Sequence, residues 1–296
     1  MRKCYSLLLF VLLSTLVVAG NNFVNLVMAN PNVLPYIIIK RDGSIEPDLK
    51  FNTPNGVSEF ITQNGSMYIL MYNLTSQYAV KIQCSNIVFD GAGHVIDGSN
   101  PNWVPYFNNG ISLEDVTNVT VKDLKIIGFA GEKISIKNSS HCVIQNVTAT
   151  SFEFYESDFN TITETNVGKI YIYMNQSNNN IIAKNNITRV ELLDSTSNTF
   201  FENNFPTNFR YEVDEANFWD NGSTGNYWSA YNGIDADADY IGDTPYIINE
   251  ENQDNYPLME PFIIPEFPSW IVLPLILTAT LFLIIVKRKL HNVKVS

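Results

Sequence analysis

Between Ile111 and Tyr211 the chain repeats one pattern of apolar residues about every 20 residues. Two apolar positions recur in each repeat, five residues apart. The first is held by Val119, Cys142, Ile162, Ile182 and Phe200, and the second by Leu124, Val147, Val167, Ile187 and Phe205. A third pair recurs with the same period: Ile111/Leu113, Ile134/Ile136, Phe152/Phe154, Ile170/Ile172, Val190/Leu192 and Phe209/Tyr211. This pattern predicts a β-solenoid, in which each repeat is one coil and each recurring position is a ladder of side chains.

A polar position precedes the second apolar ladder in every repeat. It is held by Asp123, Asn146, Asn166, Asn186 and Asn204. Asn and Asp tolerate the left-handed backbone conformation better than most residues, and stacked amides can hydrogen-bond to one another. The pattern therefore predicts a sharp turn at the same place in each coil.

The charge of the chain restricts its partners. Without the basic residues at its two ends, 12 Lys and Arg remain against 30 Asp and Glu, a net charge of −18. Nucleic acid is excluded as a partner because phosphate binding needs clustered basic residues. An anionic polysaccharide would need a bound cation or a local basic patch.

Both termini carry apolar segments with basic flanks. Residues 1–20 are typical of a secretory signal peptide, with cleavage as late as residue 29, and an uncleaved N-terminal anchor is the alternative. Residues 270–286 are apolar and long enough to span a bilayer, residues 263–269 form a linker, and residues 287–296 form a basic tail. The positive-inside rule then predicts a protein on the extracellular face of the cell membrane, with its tail in the cytoplasm.

The exported part divides into two regions. We assign residues 34–216 to the β-helix, with residues 34–60 as its N-terminal cap, because the first coil of a solenoid needs cover. Residues 217–262 are rich in aromatic residues and Asp, and we expect them to close the other end.

Two groups of residues before the repeats are candidate sites. Asp90, His94 and Asp97 flank a glycine turn, and two carboxylates with an imidazole can perform general acid–base chemistry. Alternatively, these residues have only a structural role, because Asp and Gly are common in turns. Trp103 and Tyr106 interrupt the repeat, and they either stack on sugars or plug a loop locally.

An acidic loop after the repeats is a candidate metal site. Asp235, Asp237, Asp239 and Asp243 occupy positions 1, 3, 5 and 9 of the loop, and Ile241 could add its carbonyl at position 7. This spacing resembles that of calcium-binding loops, although position 6 is Tyr240 and position 12 is Tyr246. We therefore expect either a structural Ca²⁺ ion or a solvated acidic loop. No other cofactor is expected.

Sequons for N-glycosylation are frequent in this Asn-rich chain. The candidates that lie outside the predicted turn ladder are Asn64, Asn73, Asn138, Asn175 and Asn221.

Several motifs together resemble a known family. They are Asn198-Thr199-Phe200-Phe201-Glu202-Asn203-Asn204-Phe205, Tyr36 through Ser44, Ile87 through Gly98, and Gly225-Asn226-Tyr227-Trp228-Ser229 through Tyr246. The chain resembles archaeal surface members of the NosD-like right-handed parallel β-helix family, which has carbohydrate-binding and sugar-hydrolase repeats. Pro265-Glu266-Phe267 resembles the archaeal PEF-type sorting signal, which implies that a lipid can replace the C-terminal segment.

The resemblance is specific for fold and location. It implies an all-β, right-handed parallel β-helix with an N-terminal signal segment and a C-terminal transmembrane helix. It leaves three functions open. The first is a non-catalytic carbohydrate-binding, cell-envelope or adhesion element, because no convincing catalytic set is present. The second is a polysaccharide lyase or glycoside hydrolase, and the third is a copper-maturation accessory, for which the chain offers few soft ligands.

Overall fold

The computed structural model describes residues 23–24, 36–46, 50–53, 56–75, 79–99, 109–129, 133–165 and 170–264. The chain forms two compact units, Met1–Phe262 and Ile263–Ser296, and of the second only Ile263 and Ile264 are described. The predicted signal peptide, transmembrane helix and basic tail lie outside the described residues. Within the described ranges, no helix has the length and apolar character needed to cross a bilayer.

The described residues form 26 β-strands. In chain order they are β1 (Phe23–Val24), β2 (Tyr36–Ile39), β3 (Ile45–Glu46), β4 (Lys50–Thr53), β5 (Gly56–Glu59), β6 (Ile61–Asn64), β7 (Met67–Leu70), β8 (Asn73–Thr75), β9 (Ala79–Ile82), β10 (Ile87–Asp90), β11 (Val95–Asp97), β12 (Asn109–Glu114), β13 (Val119–Ile127), β14 (Lys133–Lys137), β15 (Val143–Thr148), β16 (Ser151–Tyr155), β17 (Thr161–Thr163), β18 (Ile170–Asn175), β19 (Ile181–Ala183), β20 (Ile187–Leu193), β21 (Thr199–Phe201), β22 (Asn204–Phe205), β23 (Arg210–Val213), β24 (Tyr227–Trp228), β25 (Tyr246–Ile247) and β26 (Gln253–Asp254).

Successive coils stack their strands in parallel. One sheet has nine strands in the order β23-β20-β18-β16-β14-β12-β9-β2-β3, in which only the terminal β3 runs antiparallel to its neighbour. The other main sheet follows the path β1-β8-β11-β13-β15-β17-β19-β21. Along both paths the parallel strands pair with the equivalent strands of adjacent coils, about 4.8 Å away. The prediction of an all-β parallel β-helix is therefore confirmed for the described residues.

The interior of the stack is apolar, as the repeat predicts, but one predicted ladder is out of register. Ile162 pairs with Ile144, and Ile144 pairs with Val121. The ladder therefore runs through Val121, Ile144, Ile162, Ile182 and Phe200, all fully buried. The assignment of Val119 and Cys142 to it was wrong by two residues.

A second two-residue error affects the nine-stranded sheet. Phe152 pairs with Ile172, and Phe154 pairs with Met174, so the predicted partners Ile170 and Ile172 were wrong. The last predicted pair, Phe209 and Tyr211, is also shifted by two residues. Tyr211 pairs with Val190 and Val213 pairs with Leu192, so the pair at this position is Tyr211 and Val213. The pairing of β18 with β20 is irregular at its start, where Ile170 pairs with Ile187 and Tyr171 with Arg189, so that Thr188 has no paired residue in β18.

The left-handed corner keeps one place in the coil, two residues after the corrected apolar ladder, although the residue type at that place changes along the stack. In the coils that contain β13 and β15, Asp123 and Asn146 adopt left-handed φ angles of 54° and 52°, and Asn146 donates to Asp123 Oδ1 at 2.6 Å, as predicted. In the later coils the left-handed residue is Glu164, Lys184 or Glu202 instead. There the predicted position of the left-handed turn, at Asn186 and Asn204, was wrong, although Asn204 does donate to Asn186 Oδ1 at 2.8 Å.

Buried asparagines connect successive coils through hydrogen bonds. The first ladder consists of Asn160, Asn180, Asn198, Asn217 and Asn252. The main-chain N–H of each of the first four donates to Oδ1 of the following member, at 2.8–2.9 Å. A second ladder runs in the same way through Thr165, Asn185, Asn203, Asn226 and Asp254. A buried polar group is costly unless it is hydrogen-bonded, so each ladder fixes the register of its corner.

Aromatic rings close the C-terminal end of the stack. Trp219 and Trp228 are buried, and Trp228 stacks between Phe205 and Tyr246, with ring centroids 4.3 Å away on each side. The carboxylate of Asp254 ends the second polar ladder and accepts from Trp228 Nε1 at 2.8 Å. Burial raises the pKa of Asp254 to about 6, against four hydrogen bonds that act in the opposite direction.

Candidate functional site

Three tyrosines lie side by side on the outer face of the nine-stranded sheet. Strand β18 alternates, so Ile172 and Met174 point into the core and Tyr171 and Tyr173 point outward. Tyr155, from β16, lies beside them. The ring centroid of Tyr173 is 5.5 Å from that of Tyr155 and 6.3 Å from that of Tyr171. We call these three residues, with Glu153 and Glu191, the tyrosine face.

Two carboxylates flank the central ring. Glu153 and Glu191 pair with Tyr173 from the strands on either side, so the three side chains form one outward column. Tyr171 donates its hydroxyl to Glu191 Oε2 at 2.5 Å, and Tyr155 donates more weakly to Glu153 Oε2 at 3.4 Å. The hydroxyls therefore hold the carboxylates in fixed positions between the rings.

Basic residues neutralise both carboxylates. Lys133 Nζ lies 2.5 Å from Glu153 Oε1, and Arg189 forms an ion pair with Glu191. The guanidinium of Arg189 also lies over the ring of Tyr171, 5.0 Å from its centroid. The glutamate side chains are only 12% exposed, so these pairs are partly shielded from solvent and salt. The tyrosine face is thus polar but close to neutral.

A buried hydroxyl lies at the edge of the face. Ser151 pairs with Lys133 on one side and Tyr171 on the other, and is 5% exposed. Its Oγ has no hydrogen-bond partner among the described residues. An unsatisfied buried hydroxyl costs about 1–3 kcal/mol.

The hydroxyls of Tyr155 and Tyr171 remain protonated. Burial is the main cause that raises the pKa of Tyr155 to about 12, with the charge of Glu153 adding to it. Burial also raises the pKa of Tyr171, while Arg189 opposes the change. At physiological pH these groups can therefore both donate and accept hydrogen bonds. Flat rings with neutral hydroxyls and fixed carboxylates suit sugar recognition, since one ring face packs on C–H groups and the polar atoms bind hydroxyls.

The structure does not bring the candidate acid–base residues together. Asp90 pairs with Lys122 and Asp97 with Ile127, five residues further along β13. Because the left-handed Asp123 turns the chain between these two pairs, about 16 Å is the upper limit of the backbone separation, at about 3.3 Å per residue. Among the described residues, the ligand atoms of Asp90, His94 and Asp97 do not form a cluster within 4.8 Å of one another.

Each of these three residues has a structural partner instead. Asp90 Oδ2 lies 2.5 Å from Lys122 Nζ, and Asp97 Oδ1 accepts from the Ser99 main-chain N–H at 2.8 Å. His94 Nδ1 lies 3.1 Å from Asn73 Oδ1, and burial lowers the pKa of its imidazole. The turn-chemistry interpretation of this segment therefore accounts for the observed contacts.

Three carboxylates of the acidic loop lie close together. One carboxylate oxygen from each of Asp235, Asp237 and Asp239 lies within 4.8 Å of the other two. The charge of Asp239 is the first cause of a raised pKa at Asp237, and Asp243 adds to it. Asp243 Oδ2 accepts from the Ala236 N–H, and Ile241 donates its N–H to Asp239 Oδ1. Oxygen ligands at this spacing fit a Ca²⁺ ion, and the cluster is exposed to solvent.

The remaining candidates fall into two groups. Trp103 and Tyr106 lie outside the described residues. Among the sequons, Asn64, Asn138 and Asn221 are exposed, whereas Asn73 and Asn175 are half-buried and hydrogen-bond to His94 and Tyr173 respectively.

Sequence reasoning missed the tyrosine face. One signal was available, because strand β18 alternates apolar and tyrosine residues without exception from Ile170 to Met174. The positions of Tyr155, Glu153 and Glu191 relative to that strand depend on the coil register, which the repeat did not give.

Comparison with known proteins adds no family assignment. No protein-family model matches the chain, and no curated protein matches it.

Proposed function

We propose that this protein is a non-catalytic, carbohydrate-binding β-helix of the outer cell surface, with the tyrosine face as its binding surface. The observation that carries the proposal is the juxtaposition of Tyr155, Tyr171 and Tyr173 around two nearly buried glutamates on a rigid sheet. Binding groups on a packed scaffold lose little conformational entropy when a ligand binds, which favours recognition of flexible glycans.

The charge pairing on the face suggests a neutral glycan. Glu153 and Glu191 each have a basic partner, so neither sign of charge is in excess at the surface. A uronate would have to compete with these carboxylates for Lys133 or Arg189. A neutral sugar can instead bind its hydroxyls to the tyrosine and glutamate oxygens without breaking an ion pair.

Display outside the cell, anchored by the C-terminal segment, is part of the same proposal. It rests on the sequence of the two termini and on the resemblance to archaeal NosD-like surface proteins. The acidic loop is proposed to bind a structural Ca²⁺ ion, because three carboxylates converge there.

Catalysis is the second candidate. Glu153 and Glu191 lie two strands apart in one column, so their backbones are about 9.6 Å apart. However, each carboxylate is occupied by a basic partner, Lys133 or Arg189, so neither is free to contact the scissile bond of a glycoside. Copper maturation has no supporting observation in the described residues, where the one cluster that fits a metal consists of aspartates.

A glycan array probed with the purified full-length chain tests the proposal. We expect neutral oligosaccharides to be retained, and the Tyr173→Ala variant to lose that signal. Tyr240→Ala is the matched control, since Tyr240 is an exposed tyrosine away from the sheet. Retention that is equal in Tyr173→Ala and in the unmodified chain would refute the assignment of the face.

A further inference from the structure

A groove at the C-terminal end of the β-helix is separate from the tyrosine face. It encloses about 300 Å³ and lies between the last regular corner and the closing segments. Thr196 and Ser197 form one wall, and Phe218, Asp220, Gln253 and Asn255 contribute to the rest. This volume lies at the lower end of small-molecule pockets, which start at about 300 Å³.

Phe218 presents an exposed aromatic ring to this groove. Its side chain is 59% exposed, whereas the next residue, Trp219, is fully buried and stacks on Phe200 with centroids 4.7 Å apart. The Phe218 N–H donates to the Asn198 carbonyl and its carbonyl accepts from the Phe200 N–H, both at 2.8 Å. Since adjacent strand residues point to opposite faces, burial of Trp219 forces Phe218 outward. The ring is therefore held rigidly in solvent by the backbone.

A fixed polar network borders the ring. Asp220 Oδ2 accepts from the Asn255 main-chain N–H at 3.0 Å and from its Nδ2 at 2.9 Å. Gln253 Nε2 donates to Asn255 Oδ1 at 2.7 Å. Each amide has a second N–H, and Gln253 keeps its carbonyl oxygen, so donors and acceptors remain for a ligand.

The charge of the groove selects its ligand. Asp220 and Glu251 are both acidic, and the described residues that line the groove include no Lys, Arg or His. A uronate or a phosphate would meet repulsion there with no basic partner. A neutral sugar can place its C–H face on Phe218 and its hydroxyls on the amides and carboxylate.

We propose that this groove is a second carbohydrate site, which takes one or two units of a neutral oligosaccharide. It stands on observations independent of the tyrosine face. Two sites on the same β-helix would bind a long glycan more tightly than either site does alone, provided that the glycan spans both.

Calorimetry on the full-length chain tests this site, with maltotriose, cellotriose, mannotriose and trigalacturonate as probes. We expect at least one neutral trisaccharide to bind, and Phe218→Ala to weaken it at least about tenfold, equivalent to about 1.4 kcal/mol. Phe218→Trp, which keeps a stacking surface, should retain binding. Phe159→Ala is the matched control, because Phe159 is also an exposed corner phenylalanine, at 53% exposure, but does not line the groove.

The outcomes separate this site from the tyrosine face. Loss of binding in Phe218→Ala but not in Tyr173→Ala supports the groove even if the tyrosine face fails. Loss in Tyr173→Ala alone, binding of trigalacturonate at the strength of the neutral probes, or no binding of any neutral trisaccharide would overturn the groove.

Discussion

The buried asparagine ladder makes a sharp prediction for Asn198. Its Oδ1 accepts from the main-chain N–H and from Nδ2 of Asn180, at 2.9 and 3.0 Å. Its Nδ2 donates to the Ser177 carbonyl and to Asn217 Oδ1, at 3.0 and 3.1 Å. Asn180, Asn198 and Ser177 are all fully buried. One side chain therefore satisfies backbone groups in the coils on its N-terminal side and binds the next asparagine of the ladder.

The substitution Asn198→Ala removes these bonds without leaving access for water. Two buried backbone groups, the Asn180 N–H and the Ser177 carbonyl, lose their partners. At about 1–3 kcal/mol for each unsatisfied buried group, the free energy of unfolding should fall by about 2–6 kcal/mol. Domains are typically stable by about 5–15 kcal/mol, so the loss is a large fraction of the total. At about 2–4 °C per kcal/mol, the melting temperature should fall by about 4–24 °C.

Asn178→Ala is the matched control from the same corner. Asn178 Oδ1 also accepts from the main-chain N–H of an adjacent coil, that of Thr196 at 2.8 Å, but Thr196 is exposed. Water can replace that acceptor, so we expect a change within about 0.5 kcal/mol. Thermal unfolding followed by far-UV circular dichroism, with urea titration for the free energies, measures both variants. Equal losses in the two variants would refute the argument that burial makes the ladder stabilising.

Three further predictions concern the C-terminal end and the acidic loop. Gly225→Ala should destabilise the chain by about 1–3 kcal/mol in urea titration, because an added Cβ would lie 1.7 Å from Asp254 Oδ1; unchanged stability would contradict this packing. Burial raises the pKa of Asp254 to about 6 in the folded state, so the stability from this group is complete below about pH 4 and is lost as pH rises to about 6. The stability of Asp254→Asn relative to the unmodified chain should therefore increase over that range, and a pH-independent difference would count against it. Added Ca²⁺ should raise the melting temperature of the full-length chain but not that of Asp237→Asn, since Asp237 is one of the three converging carboxylates; no shift in the unmodified chain would rule out the ion.

The errors in the predicted ladders have a common form. Val119 was placed where Val121 lies, and Ile170 where Ile172 lies, each a slip of two residues. A strand has a side-chain period of two, so a slip of two residues leaves every apolar side chain on the same face. Hydrophobic patterning is therefore insensitive to such a slip. The left-handed corner marks the true register, because Asn146 in one coil and Glu164 in the next hold the same position, and the change of residue type hides that equivalence in the sequence.

For the candidate sites, too, the outcome depends on strand pairing that the sequence pattern does not show. In the acidic loop the carboxylates of Asp235, Asp237 and Asp239 do converge, because these residues are close in sequence and alternate along one short loop. The Asp90, His94 and Asp97 group was also close in sequence, but β10 and β11 pair with different parts of β13 and hold the two aspartates apart. Closeness in sequence predicts closeness in space only within a single turn.

The sequence by itself determined that this chain stacks short parallel strands around an apolar interior. A repeat of about 20 residues with alternating apolar positions can bury them in few other ways. The tertiary structure alone decided which asparagines are buried and which tyrosines meet glutamates. Both depend on which residue lies one coil above another, and that is fixed by corner geometry and by hydrogen bonds between residues 18–23 positions apart.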